Sequence, residues 1–199
     1  LAHASPALLR SAEKGDLAGV QRQLRSGAAV DARDTRQRTP LLLATWANHP
    51  AVAQALIAAG ADVNAKDDQQ DSPYLVAGAH GRTEILKMTL AHGADLRSTN
   101  RYGGTALIPA SEKGHPEAVR LLIAAGSDVD FVNKLGWTSL LEVAILGQDT
   151  AVYQDITRQL IAAKADVNLP DKNGVTALQH AQKRGLTHIA ALLVQAGAR

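Results

Sequence analysis

Residues 100–132 read NRYGGTALIPASEKGHPEAVRLLIAAGSDVDFV, and the rest of the chain repeats this pattern in one register. The Thr or Ser that opens its first apolar run recurs at Thr39, Ser72, Thr105, Thr138 and Thr176. The residue that ends its second run recurs at Gly27, Gly60, Gly93, Gly126, Lys164 and Gly197. Both markers step by 33 residues, and both take one step of 38 at the same place. Two markers that hold a common register and share a single break identify a tandem array. Each repeat buries its apolar side against its neighbours.

Working outward, residues 5–33 form an incomplete first repeat, an N-terminal cap opened by Ser5-Pro6 as helix cap and first turn. Full repeats follow at 34–66, 67–99, 100–132 and 133–170, and residues 171–199 form a C-terminal cap repeat. In each, Thr or Ser caps a first helix, as in Thr39-Pro40-Leu41-Leu42. A Gly or Asn turn follows, and a second helix points apolar residues inward at helical spacing, as at Val52, Leu56 and Ile57. The five extra residues fall within 148–155. Ala151-Val152-Tyr153 is not turn-like, so the second helix there is expected to gain a turn at its start.

A 33-residue repeat with a Thr-Pro-Leu helix start, a Gly-His turn (Gly114-His115) and a Gly-Ala-Asp-Val-Asn loop (residues 60–64) resembles the ankyrin repeat. The resemblance covers residues 5–199. It implies an all-α ankyrin solenoid, one domain over 1–199, with two antiparallel helices per repeat and a hairpin-like finger between repeats. Fingers and first helices would line a concave face. The run 103–110, with Leu135-Gly136-Trp137-Thr138 and the insertion, looks like a subset of bacterial ankyrin proteins.

The chain departs from that family where Leu42, Leu75, Ile108, Leu141 and Gln179 replace the usual His, and apolar packing is expected to substitute at the first four. Gln37 and Gln70 stand where later fingers have Gly103, Gly136 and Gly174. A side chain at positive φ costs on the order of 1 kcal/mol, so a different turn or greater mobility is expected in the first two fingers.

Composition narrows the function. Hydrophobic residues are 46% and aromatics 3%, a core of Ala, Leu, Val and Ile. A net charge of +2 does not point to nucleic acid or an acidic membrane. Without cysteine there is no disulfide, thiolate nucleophile or thiolate zinc site. No apolar run approaches the ~18–20 residues of a membrane span. Ala2-His3-Ala4 before Ser5 has the small-x-small form of a signal-peptidase site, but Ala59-Gly60-Ala61 shows that an Ala-rich chain makes this form freely. Periplasmic or secreted and cytoplasmic settings both fit, and a monomer is expected.

No two of the seven histidines have the spacing that puts two metal ligands on one helical turn, and no phosphate loop or nucleophile motif occurs. Asp62, Asp95, Asp128 and Asp166 recur once per repeat and are architecture. No metal, cofactor or catalytic site is implied, and an enzyme is not expected. What varies between repeats is the surface that fingers and first helices present. Arg38, Trp46, Tyr102, Leu135, Trp137, Ile145 and Leu146 fall on it, and aromatic residues beside Arg are typical of interface anchors. For Ile145 and Leu146 the alternative is a local core beneath the enlarged 148–155 segment. A non-enzymatic module binding a protein partner is therefore expected. The alternatives are a small-ligand or nucleic-acid binder using Arg36, Arg38, Arg101, Lys134, Lys183 and Arg184, or an immunity-type inhibitor of an enzyme.

Overall fold

The structure is a computed structural model that describes residues 5–199; the Ala2-His3-Ala4 segment lies outside the described residues. Its described regular structure is helical, without strands. The residues fall into two compact units, one running through Ala77 and including Arg82–Asp95, the other comprising Gly78–Gly81 and Leu96–Arg199.

The first unit contains α1 (Pro6–Lys14), α2 (Leu17–Arg25), α3 (Pro40–Ala47), α4 (Pro50–Ala58), the start of α5 (Pro73–Ala79) and α6 (Thr83–Ala91). Helix α1 packs on α3, and α2 packs on α4, which packs on α6. The second unit contains α7 (Leu107–Glu112), α8 (Pro116–Ala125), α9 (Ser139–Leu146), α10 (Ala151–Ala162), α11 (Ala177–Lys183) and α12 (Thr187–Gln195). There α9 packs between α7 and α11, while α10 packs between α8 and α12. Within each unit, first helices thus pack on first helices and second helices on second helices. Leu42, Leu75, Ile108 and Leu141 are all buried, so apolar packing does replace the absent histidines. At the fifth place Gln179 completes a capping box with Thr176, in which two orphan N–H groups are satisfied reciprocally.

Between repeats the chain makes a finger closed by one side-chain oxygen. Asn133 Oδ1 accepts from Leu135 N–H at 3.0 Å and Trp137 N–H at 3.1 Å. Asp34, Asp67, Asn100 and Asp171 make the same pair of bonds in their own fingers. This clamp corrects the expectation for Gln37 and Gln70. Both adopt φ of 64°, the left-handed turn that Gly103, Gly136 and Gly174 adopt. In both fingers the clamp is a carboxylate, Asp34 or Asp67, and hydrogen bonds to an ionised acceptor are stronger than neutral ones. They offset the left-handed strain.

The repeat 100–132, so regular in sequence, departs in its cap. Thr39, Ser72, Thr138 and Thr176 each accept the N–H three residues on, but Thr105 Oγ1 is buried without a hydrogen-bond partner. Pro109 is the cause. In a regular helix the residue-109 N–H would bond the Thr105 carbonyl, and proline has none. Ile108 N–H donates to that carbonyl instead, at 3.2 Å, and is lost to the cap.

The insertion does more than lengthen a helix. Helix α10 has 12 residues against 9 in α4 and 10 in α8, as expected from 151–153. The loop before it projects Asp149 onto the next repeat, where Oδ1 accepts from Ile189 N–H at 2.9 Å and Oδ2 from His188 N–H at 3.0 Å. Helix α12 has no side-chain cap of its own at Leu186; Asp149 supplies one from the repeat before. Burial pulls the Asp149 carboxyl up, but the hydrogen bonds from His188 and Ile189 outweigh it and hold its pKa below the usual carboxylate value.

A second acid sits under a finger. Glu142 on α9 is 5% exposed, and its Oε1 accepts from Asn133 Nδ2 at 2.9 Å. Burial, then the charge of Glu112, push its pKa up to about 7 against the opposing Asn133 hydrogen bond and Lys113. In the last repeat His180 takes the equivalent place and binds Asp171 Oδ2 at 2.7 Å.

Two outcomes follow for stability. Asp149→Ala removes a cap of about 1 kcal/mol, so α12 amides should exchange with deuterium several-fold faster while α8 amides do not change. Because the Asp149 pKa is lowered on folding, its contribution is present above the unfolded carboxylate pKa and is lost as pH falls through the folded value, in acid. Glu142 has the opposite sign. Its folded pKa of about 7 lies above the ordinary 4.5, so its ionisation erodes stability as pH rises from 4.5 toward 7. Glu142→Gln keeps an acceptor for Asn133, and thermal melts across that window should show its melting temperature rising relative to the parent chain.

Candidate functional site

The fingers fix backbone and leave side chains free to vary. In the second unit, Tyr102 and Leu135 occupy equivalent places on consecutive fingers, two residues beyond their clamps Asn100 and Asn133. Lys134 N–H donates to the Tyr102 carbonyl at 3.0 Å and joins the two fingers. Tyr102 is 55% exposed and Leu135 50%. The Arg101 guanidinium lies over the Tyr102 ring, 4.9 Å from its centroid, within the range of a cation–π contact.

Trp137 is half-buried, with its N–H engaged by Asn133 Oδ1 and its carbonyl by Asn133 N–H at 3.1 Å. At the end of α9, Ile145 is half-buried and Leu146 is 49% exposed, so the 148–155 segment leaves Leu146 in water. In the first unit Trp46 is 36% exposed, and its carbonyl accepts from Arg82 Nη2 at 2.9 Å. Arg38 is tied down, with Nε donating to Asp34 Oδ2 at 2.8 Å.

The remaining basic candidates are similarly engaged in part. Arg184 Nη1 donates to the Ala144 carbonyl at 2.9 Å and Lys134 Nζ to the Arg101 carbonyl at 3.2 Å. Arg36 and Lys183 are exposed. The histidines have structural neighbours: His49 Nε2 lies 3.1 Å from the Glu13 carbonyl, His180 binds Asp171, and His188 Nδ1 lies 2.8 Å from Asp149 Oδ2. No helix among the described residues is long and apolar enough to cross a membrane.

Sequence reasoning missed three features that shape this surface. The Asp or Asn clamp was visible as a repeat at 34, 67, 100, 133 and 171. Glu142 was signalled by one acid at a place where other repeats have Leu43, Val76, Pro109 and His180. Tyr153 occupies the slot that His49 fills earlier, its hydroxyl donating to the Glu112 carbonyl at 2.7 Å.

Comparison with known proteins agrees with this geometry. The family description "Ankyrin repeats (3 copies)" matches residues 74–154, and "Ankyrin repeat" matches residues 36–68. An ankyrin repeat domain from Acinetobacter baumannii AYE is 56% identical, with a TM-score of 0.93 over 96% of this chain and 98% of that one. The ankyrin repeat protein EF0377 is 43% identical, with a TM-score of 0.92 over 97% and 98% of the two chains. The ankyrin repeat domain of Bcl-3, a member of the IkappaB protein family, is 29% identical, with a TM-score of 0.87 over 99% and 88%. No curated protein matches the chain. Proteins of this fold are generally protein-interaction scaffolds and typically not enzymes. Matched by ankyrin repeat models over residues 36–68 and 74–154 and by a solved ankyrin repeat domain at 56% identity along nearly its whole length, the chain belongs to the ankyrin repeat family.

Proposed function

We propose that this chain is a non-enzymatic module that binds a partner protein through its finger tips and first-helix ends. Tyr102, Leu135 and Leu146 are the exposed contacts of the second unit, and Trp137 and Ile145 are half-buried anchors beside them. Arg38 and Trp46 are the candidate contacts of the first unit. One observation carries the proposal: two consecutive hydrogen-bonded fingers hold Tyr102 and Leu135 in equivalent places, each with half or more of its surface in water. Their counterparts Arg36, Gln69 and Asn173 are polar, so the fold does not require apolar residues there. Clustered apolar side chains on a rigid support are typical of a contact surface.

Affinity capture from source cells tests this, with the Tyr102→Ser/Leu135→Ser chain as control. The parent chain should retain a protein that the double variant releases. Trp137→Ala should weaken binding of that protein by about 2 kcal/mol, roughly thirtyfold. Retention of the same proteins by the parent and both variants would overturn the proposed face.

A further inference from the structure

At the residue after the clamp the fingers of the second unit carry Arg101, Lys134 and Lys172 where those of the first carry Thr35 and Asp68, so the fold does not demand a cation there. Where the turn residue is glycine, both a neutral clamp (Asn100, Asn133) and an acidic one (Asp171) close the finger. The tips read Arg101-Tyr102-Gly103, Lys134-Leu135-Gly136 and Lys172-Asn173-Gly174, with no carboxylate among them. Asp171, the one acidic clamp of the second unit, is paired with His180.

The cations are also held in a row. Lys134 lays its methylenes against Gly103 and donates Nζ to the Arg101 carbonyl at 3.2 Å. Lys172 repeats the arrangement one finger later, against Gly136 and onto the Lys134 carbonyl at 2.7 Å. A Cβ at Gly103 would come within 2.7 Å of Lys134 Cγ, and one at Gly136 within 2.6 Å of Lys172 Cγ. Each glycine therefore makes room for the next lysine. An ammonium has three donors, and these contacts use one. The side-chain freedom that a mobile lysine would lose on binding is already lost in the free protein.

We infer that this row receives an acidic segment of the partner protein. Its carboxylates would meet Lys134, Lys172 and Arg101, and its apolar side chains would cover Tyr102 and Leu135. The inference rests on the protein-binding function proposed above. Nucleic acid fits the row less well. Sequence-tolerant strand binders stack successive bases on aromatic side chains, and the neighbour of Tyr102 along this row is the aliphatic Leu135, followed by Asn173.

A random dodecapeptide library displayed on phage, panned against the full chain, tests the inference. The Tyr102→Ser/Leu135→Ser chain serves for counter-selection. Retained peptides should be net acidic with interspersed apolar residues. Lys134→Gln/Lys172→Gln keeps a donor for each finger carbonyl and removes the charge. With its fold checked by circular dichroism, it should bind those peptides about fivefold more weakly, a gap that narrows as salt rises. Neutral or basic peptides that still require Tyr102 and Leu135 would overturn the acidic chemistry and leave the binding face intact. If no peptide distinguishes the parent from the counter-selection chain, the face and the inference fall together. Displacement of retained peptides by a thymidine dodecamer, with steep salt dependence, would overturn the inference in favour of nucleic acid.

Discussion

Everything at the surface of these repeats depends on one side-chain oxygen per finger that accepts two backbone N–H groups. Asn133 Oδ1 holds the amides of Leu135 and Trp137, and the other four fingers are held alike. A finger has no ladder of strand hydrogen bonds to define it, and unpaired backbone donors are costly when buried. The clamp satisfies two of them with a residue that is itself part of the repeat. The residues it fixes are also those whose side chains vary from repeat to repeat. Backbone certainty and side-chain freedom therefore meet at the same positions, as a family that changes partners without changing fold requires.

A second constraint joins successive repeats. The left-handed turn between the two helices leaves a carbonyl two residues upstream that the following repeat must reach. His49 reaches Glu13, Arg82 reaches Trp46 and Tyr153 reaches Glu112, each two residues before a left-handed Gly15, Asn48 or Gly114; Gly147 is extended instead, and there Arg184 reaches Ala144, three residues upstream. Three chemistries, imidazole, guanidinium and phenol, serve one geometric need. The rings of His49 and Tyr153 lie directly over Gly15 and Gly114, where a Cβ would stand 2.7 and 3.2 Å from ring atoms. In the repeat with the insertion the second helix starts later in the numbering, and a tyrosine within that helix takes the place of a histidine before it.

What the sequence disclosed followed from repetition. Helix positions, caps, the buried replacements for histidine and the longer α10 all show as agreement or departure among several copies of one pattern. Features present once, or dependent on an interaction between two copies, stayed hidden. Asp149 has no counterpart in other repeats, and its role appears only when α12 is beside it. The failed cap at Thr105 depends on Pro109, a proline at that place in the first helix of one repeat alone. The expectation for Gln37 and Gln70 was wrong because a local φ penalty was weighed without the carboxylate that offsets it. For the candidate face, the variable positions were legible, but which side chains stand in water was not. Trp137 proves half-buried, whereas Leu135 beside it is the more exposed.

The exposed residues also separate structural from non-structural roles. Replacing the Asn133 clamp with an apolar residue would strand two amides, and replacing Gly136 would strike Lys172; these positions are set by the fold. Leu135 accepts no such explanation, since its backbone does all the structural work and Arg36, Gln69 and Asn173 serve at its place elsewhere. A single exposed leucine needs no explanation on its own. Leu135 is set apart by its company: Tyr102 on the adjoining finger under the Arg101 guanidinium, and two lysines anchored on finger carbonyls beside it. Exposed apolar surface set beside ordered positive charge along one rigid row supports the proposed contact with a complementary protein surface.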